Sequence, residues 1–480
     1  MNVRAAILAG ALLVPGVAAS AEPPLNKAGE ALYERWPSIR VSSPTPSTFR
    51  HAELEKALEA LAAKYPGLFE TVTTATSNEG RKIRLLRAGT GPRKVLLWTQ
   101  MHGDEPTGTS AILDLLSDLG VRSGEPDTKE LLSSLTLYVI PMLNPDGSER
   151  FVRWNAQGID INRDALALAS PEARFLKSVR DAHEPYVGYN LHNQFNRVTA
   201  GGTGGPVSLA VLSVPFDEAF TASPGRTLTK RLAVAIQDLL APYTKDTFAR
   251  YKTDYTARAF GDSMTRWGTP TLLIEAGFLP GPGAEEQLVR LYWVARRGSL
   301  QLLARGQGRL GSVKEARYDA IPLNTEGRLY DVILRDLMVV NGRGLAPYPA
   351  SIALLRGNRR VDGDGRGGAY VREVGDLAEF ATPEPSPAVS GLYAAPAPGG
   401  DAEGWPAVLD GLAARGLVTE EGALRLKAED LTKEVAAWAG KSILEPGYGG
   451  DLLLFRTTRE GGLVLDAFVR KGKLETAPRR

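Results

Sequence analysis

Between residues 51 and 64 the apolar Leu54, Leu58 and Leu61 recur at helical spacing, and Pro66-Gly67 ends the pattern. Phe69 to Thr76 then predicts a strand, Ser77 to Arg81 a tight turn, and Lys82 to Ala88 a second strand. Lys94 to Gln100, KVLLWTQ, is a nearly unbroken apolar run, the pattern of a strand buried on both faces. A helix is expected over 109–119. The alternation continues with strands over 136–142, 186–191 and 271–274, and helices over 172–181, 227–240 and 285–304. Apolar strands alternating with amphipathic helices predict an α/β fold, a three-layer α/β/α sandwich around a mixed sheet. Ligands of open α/β sheets bind outside the carboxyl ends of the strands.

The pattern changes near Gly306-Gln307-Gly308. Shorter strand-like segments follow at 328–340 and 350–356, separated from later ones by Gly/Arg/Asp-rich turns at 357–368. A Pro, Ala and Gly-rich stretch, 382–405, reads as a linker or long loop, with helical patterns at 405–415 and 421–439 and strand-like ends at 451–456 and 462–469. The expected organisation is an α/β domain over 46–306 and a mixed, β-leaning accessory region over 310–480. A Pro and Ser-rich leader over 22–45 is expected to lie along the surface. Before it, Arg4 supplies a positive charge, Ala5 to Ala18 an apolar run, and Ala19-Ser20-Ala21 a small-x-small site. Residues 1–21 therefore predict a cleaved secretory signal peptide and a secreted or periplasmic protein.

Composition removes several classes of function. A net charge of +2 argues against a nucleic-acid partner recognised by charge alone. With no cysteine there is no disulfide, no cysteine-ligated metal and no cysteine nucleophile. Nothing in the sequence speaks to oligomeric state.

The chain has four histidines, His51, His102, His183 and His192. His102 lies just past the buried strand 94–100, in QMHGDEPTG, with Glu105 three residues on. His192 lies just past another, in YNLHNQ. Two histidines and a carboxylate, with one position left open, form a ligand set suited to catalytic zinc. His51 at a helix start and His183 before Pro185 read as structural.

These residues sit among further motifs in a fixed order. KYPGLFE and SNEGR (77–81) precede the His-x-x-Glu; NPDG (144–147), RWNAQGIDINRD (153–164), LHNQ and IEAGF (274–278) follow it. From about residue 46 to 300 the sequence resembles the M14 zinc carboxypeptidase family, in one of its divergent bacterial branches. The resemblance implies one zinc ion held by His102, Glu105 and His192, and Glu275 as the general base that activates water. It implies Arg153, with Arg150 as a competitor in register, as the group that polarises the scissile carbonyl. Asn162 and Arg163 would hold the terminal carboxylate of a peptide substrate. A mobile active-site tyrosine would be Tyr251 or Tyr255, with Tyr251 preferred. The side-chain pocket is expected near 258–262, with Asp262 pairing a cation or Phe260 lining an apolar wall.

Two departures stand out. Asp104 replaces the basic residue that digestive members carry in the His-x-x-Glu, and Asp164 replaces the Asn after the Asn-Arg pair. The resemblance therefore implies a metallocarboxypeptidase, with cell-wall peptides among possible substrates. The alternatives are a zinc-dependent deacylase or amidase of N-acyl amino acids, and a noncatalytic peptide- or cell-wall-binding protein. Residues 330–344 and 444–455 are faintly similar to the small β-sandwich of amidohydrolases. With no histidine after residue 192, an amidohydrolase metal site there is excluded.

Overall fold

A computed structural model describes residues 23–194, 198–202, 205–252, 254–325, 329–343, 345–356, 369–378, 380, 382, 388–396, 431–439, 444, 452–459, 463–470 and 473–476. The expected signal peptide lies outside the described residues. So do the expected helix over 405–415 and most of the expected linker.

In chain order the first body comprises α1 (Leu25–Ile39), α2 (His51–Lys64), β1 (Phe69–Thr76), β2 (Lys82–Ala88), β3 (Arg93–Thr99), α3 (Thr107–Val121) and α4 (Pro126–Ser134). There follow β4 (Leu135–Ile140), α5 (Pro145–Arg150), α6 (Pro171–His183), β5 (Val187–Asn193), β6 (Thr199–Ala200) and β7 (Leu209–Ser213). The remaining elements are α7 (Pro224–Thr244), β8 (Phe248–Arg250), α8 (Phe260–Arg266), β9 (Thr271–Ala276), α9 (Ala284–Ala304), α10 (Gln307–Ser312) and β10 (Asn324–Thr325). Eight strands form one sheet in the order β1-β2-β4-β3-β5-β9-β7-β8. It is mixed: β4, β3, β5 and β9 run parallel, while β1, β2 and β7 join antiparallel.

The apolar run of β3 is explained by two cores. Val95 and Leu97 face one, with side chains of α1, α2, α3, α7 and α9. Leu96 and Trp98 face the other, with Phe175, Leu176 and Val179 of α6 and Phe260 and Met264 of α8. A strand covered on both faces gains from burial at every position, so alternation disappears. The three-layer architecture with a mixed sheet is the one expected.

Both expected domain edges are corrected. Residues 22–45 are not a surface leader, because α1 docks on α7, α9 and α3. Leu32, Trp36 and Ile39 are buried, each contributing about 1.5–3 kcal/mol of apolar transfer. A Cβ on Gly29 would stand 1.8 Å from the Leu239 carbonyl oxygen, so only glycine permits this approach. At the other edge the first body continues past 306. The Tyr318 hydroxyl accepts from the Ser213 N–H (2.9 Å), the Arg250 N–H donates to the Pro322 carbonyl (2.7 Å), and β10 pairs with β6.

The C-terminal region is β-rich, as expected. β11 (Val332–Val339), β12 (Tyr348–Arg356), β13 (Ala369–Gly375), β14 (Tyr393–Pro396), β15 (Leu452–Thr457), β16 (Leu463–Arg470) and β17 (Lys473–Thr476) form a sheet in the order β13-β12-β11-β14-β15-β16-β17. α11 (Leu431–Ala439) is the described part of the helix expected over 421–439. β14 falls inside the stretch expected to be a linker. No helix among the described residues is long and apolar enough to cross a membrane.

Candidate metal centre

Three of the parallel strands end on one edge of the sheet and deliver the chemistry there. After β3 the backbone turns at Gln100, which takes a positive φ of 51°. His102 and Glu105 follow in a turn closed by the Glu105 N–H donating to the His102 carbonyl (3.2 Å). The turn is tight against α5: a Cβ on Gly103 would stand 2.0 Å from the Gly147 carbonyl carbon. Asn144 ties the neighbourhood together. Its Oδ1 caps α5 by accepting from the Gly147 N–H (2.9 Å), and its Nδ2 donates to the carbonyls of Met101 (3.2 Å) and Arg153 (3.3 Å). Asp146 of the same NPDG motif accepts from Ser77 Oγ, the Glu79 N–H and Arg81, so it anchors the SNEGR turn. Two motifs distant in sequence are thus one structural brace behind His102.

β5 and β9 pair in parallel with His192 opposite Glu275. That register puts a metal-ligand candidate and the candidate base side by side. Donor atoms of His102, Glu105 and His192 all lie within 4.8 Å of one another, and all three residues are buried. His102 Nδ1 is 2.6 Å from Glu105 Oε1, His192 Nδ1 is 2.7 Å from Glu105 Oε2, and the two Nδ1 atoms are 3.2 Å apart. Tetrahedral zinc with bonds of about 2.0–2.1 Å holds its ligand atoms about 3.3 Å apart. The facing imidazole nitrogens and the single carboxylate therefore fit one zinc ion, which answers three sets of lone pairs at once. Glu105 is held well below the usual carboxylate range: burial opposes its charge, and the two imidazoles outweigh burial.

Asp160 completes the arrangement. Its Oδ1 is 3.2 Å from His102 Nε2, and its Oδ2 accepts from Nε (3.0 Å) and Nη2 (2.9 Å) of Arg153. The outer nitrogen of a metal-binding histidine is commonly held by such a carboxylate, which sets the tautomer. The same carboxylate fixes the Arg153 fork, leaving Nη1 3.2 Å from His102 Nδ1 and 3.6 Å from Glu105 Oε1. Arg150 pairs with Glu79 instead, so Arg153 is the arginine at the cluster. Reading the sequence alone missed Asp160, although it stands in the GIDINRD motif two residues before Asn162.

Glu275 is buried on β9, and its Oε2 has no hydrogen-bond partner. Burial first, and then the charge of Glu105, push its carboxyl well above the ordinary value. A cation at the triad reverses part of that shift. Asn162 and Arg163 share a 3-10 turn over Ile161–Arg163. Asn162 Oδ1 accepts from the Phe260 N–H (2.9 Å), which ties this turn to α8, and Arg163 is exposed with Nη1 on the Asn162 carbonyl (2.8 Å).

The other expected residues are placed as follows. Phe260 is fully buried in the core, edge-on to Trp267. Asp262 accepts from the Thr256 N–H (3.0 Å) and closes the loop before α8. Asp164 accepts from Ala169, Ser170 N–H and Ser170 Oγ, so it braces the loop before α6. Tyr251 packs on Leu212, Val214 and Leu273 and lines a separate cleft, while Tyr255 is half-buried in the 254–259 loop. His51 Nε2 reaches the Lys82 carbonyl oxygen, and His183 stacks on Tyr138, in line with structural roles.

The chain is similar to several known proteins. Carboxypeptidase 2 of Trichophyton rubrum is 35% identical over 116 residues, 24% of this chain and 20% of that protein. Carboxypeptidase D of Mus musculus is 32% identical over 213 residues, 35% of this chain and 15% of that protein. The chain thus spans less than a third of the length of these relatives. Among solved structures, a metallo-carboxypeptidase from Pseudomonas aeruginosa superposes with a TM-score of 0.43 at 20% identity, covering 54% of this chain and 69% of the other. Residues 54–198, which contain all three metal-ligand candidates, match the zinc carboxypeptidase family, Peptidase M14.

Proposed function

We propose that the protein is an exported zinc metallocarboxypeptidase that removes the C-terminal residue of peptides, cell-wall peptides among them. The observation that carries this reading is the convergence of His102, Glu105 and His192 beside an unpartnered, buried Glu275. Zinc held by the triad supplies Lewis-acid polarisation of water and of the scissile carbonyl. Glu275 takes a proton from the attacking water as the oxygen–carbon bond forms, and passes it to the leaving amine as the carbon–nitrogen bond breaks. Arg153, locked by Asp160, presents Nη1 where negative charge develops on the carbonyl oxygen. Asn162 and Arg163 receive the terminal carboxylate, a task for which an exposed guanidinium fork is suited. The apolar run Ala5–Ala18 and the Ala19-Ser20-Ala21 site support export to the periplasm or beyond.

The test is mass spectrometry of a peptide panel with free and amidated carboxyl ends, cell-wall stem peptides included. Release of one residue from free ends only, abolished by a chelator, is the expected outcome. Internal cuts or equal cleavage of amidated ends would sink the reading of Asn162 and Arg163. Cleavage of acyl amino acids with no peptide cleavage would make the protein a deacylase.

A further inference from the structure

A second cleft lies at the edge of the sheet, where β8 ends at Arg250 and the chain continues through Tyr251 and Lys252. α7 brings Arg226 and Lys230 to it, and the 3-10 turn over Glu315–Ala320 brings Tyr318 and Asp319. The cleft measures about 360 Å³, near the small end of the range for ligand sites. None of its lining residues is a zinc ligand, the base, or a carboxylate-binding residue.

Its electrostatics are one-sided. Four cations, Arg226, Lys230, Arg250 and Lys252, face a single carboxylate, Asp319. Lys230 pairs with Asp319 at 2.9 Å, and Arg250 Nη1 stands 3.8 Å from the same group. Both cations also lie over the Tyr318 ring, at 5.3 and 5.4 Å. Arg226 is more than nine-tenths buried and has no ion pair among the described residues. Its Nη1 is spent on the carbonyls of Phe220 and Thr221, which aims the guanidinium, while its Nε and the Nε of Arg250 have no partner. Like charges gathered in a concave, half-enclosed site repel one another unless an anion joins them, and low local dielectric amplifies both effects. Donors left without acceptors favour the same resolution.

We propose that this cleft binds a small, multiply charged oxyanion of the phosphate or carboxylate class, held by Arg226, Arg250 and Lys252. Such binding is independent of the peptidase reading. The test is isothermal titration calorimetry on the zinc-loaded full chain, with inorganic phosphate in one arm and succinate in the other. Binding of either anion at one site per chain, weakened about tenfold or more in Arg250→Gln and in the exposed Lys252→Gln, is expected. Binding by phosphate alone or succinate alone assigns the source. Lys56→Gln, exposed on α2 and outside both the cleft and the metal centre, serves as control and should bind as the parent does, and unchanged melting of Lys252→Gln excludes misfolding. Binding weaker than about 10 mM in both arms, or binding retained unweakened in the two cleft variants, overturns the proposal.

Discussion

At the scale of single residues, each role proposed at the centre makes a separable prediction. Glu275→Gln is expected to lower kcat by at least about a hundredfold while one zinc per chain remains, because Glu275 is outside the ligand triad. His192→Ala should lose both metal and activity, and metal analysis beside the peptide assay distinguishes the two. Asp160→Asn keeps the shape but loses the charge that orients His102 and Arg153; zinc affinity should fall about 10–100-fold, as read by chelator competition. Asp262 predicts a pH effect. Burial pushes its carboxyl from 3.8 up to about 6, against the pull of the Thr256 N–H. Between these values the folded state holds more protons than the unfolded one, so stability falls as pH rises through that window and the loss is complete above about 6. The difference corresponds to about 3 kcal/mol. Asp262→Asn can still accept from Thr256, so it should raise stability at pH 7 by about 1–3 kcal/mol and do nothing of the kind below pH 4; urea melts at the two pH values decide it. Histidines, Glu275 and Arg153 could be named from motifs because the metal chemistry requires those residue types. The bland environments of Phe260 and Asp262 could not, since burial depends on what packs over α8.

At the scale of elements, β3, β4, β5 and β9 were legible because continuous apolar runs have few other uses in a chain this polar. α1 was not. Pro37 near its end, an uncapped start and a Pro/Ser-rich setting hide its one apolar stripe. What holds it is tertiary: Asp114 of α3 accepts from Trp36 Nε1, the Val41 and Ser42 N–H groups and Ser42 Oγ, all at 2.9 Å. Four donors on one buried carboxylate make Asp114→Ala costly. We expect a loss of about 1–3 kcal/mol, the cost of leaving buried donors without an acceptor, and protease cleavage within 25–42 ahead of global unfolding. Tyr292 of α9 is a comparable case. Its hydroxyl donates to the Ile274 carbonyl (2.7 Å) and, more weakly, to that of His192 (3.3 Å), pinning β5 to β9 where the candidate ligand and base sit. No motif marks it, because its role exists only in the register of a helix against two strands.

At the scale of the whole molecule, the body that carries the candidate metal centre ends near residue 325 and not at 306. A chain ended after Thr325 should keep its zinc and its cooperative melt. One ended after Gly306 strips Tyr318 and β10 from β7 and β6, and should melt at a lower temperature by differential scanning calorimetry. Sequence by itself determined the layered α/β architecture, the strands that carry the candidate ligands and which residues form the candidate metal set. Hydrophobic period and residue chemistry are local properties, and they survive without knowledge of neighbours. Only the tertiary structure decided that Asp160 joins His102 to Arg153, that Tyr251 lines a cationic cleft, and that both ends of the first body extend beyond the motif region. Those facts depend on which surfaces meet across tens to hundreds of residues, and side-chain spacing along the chain does not encode such meetings.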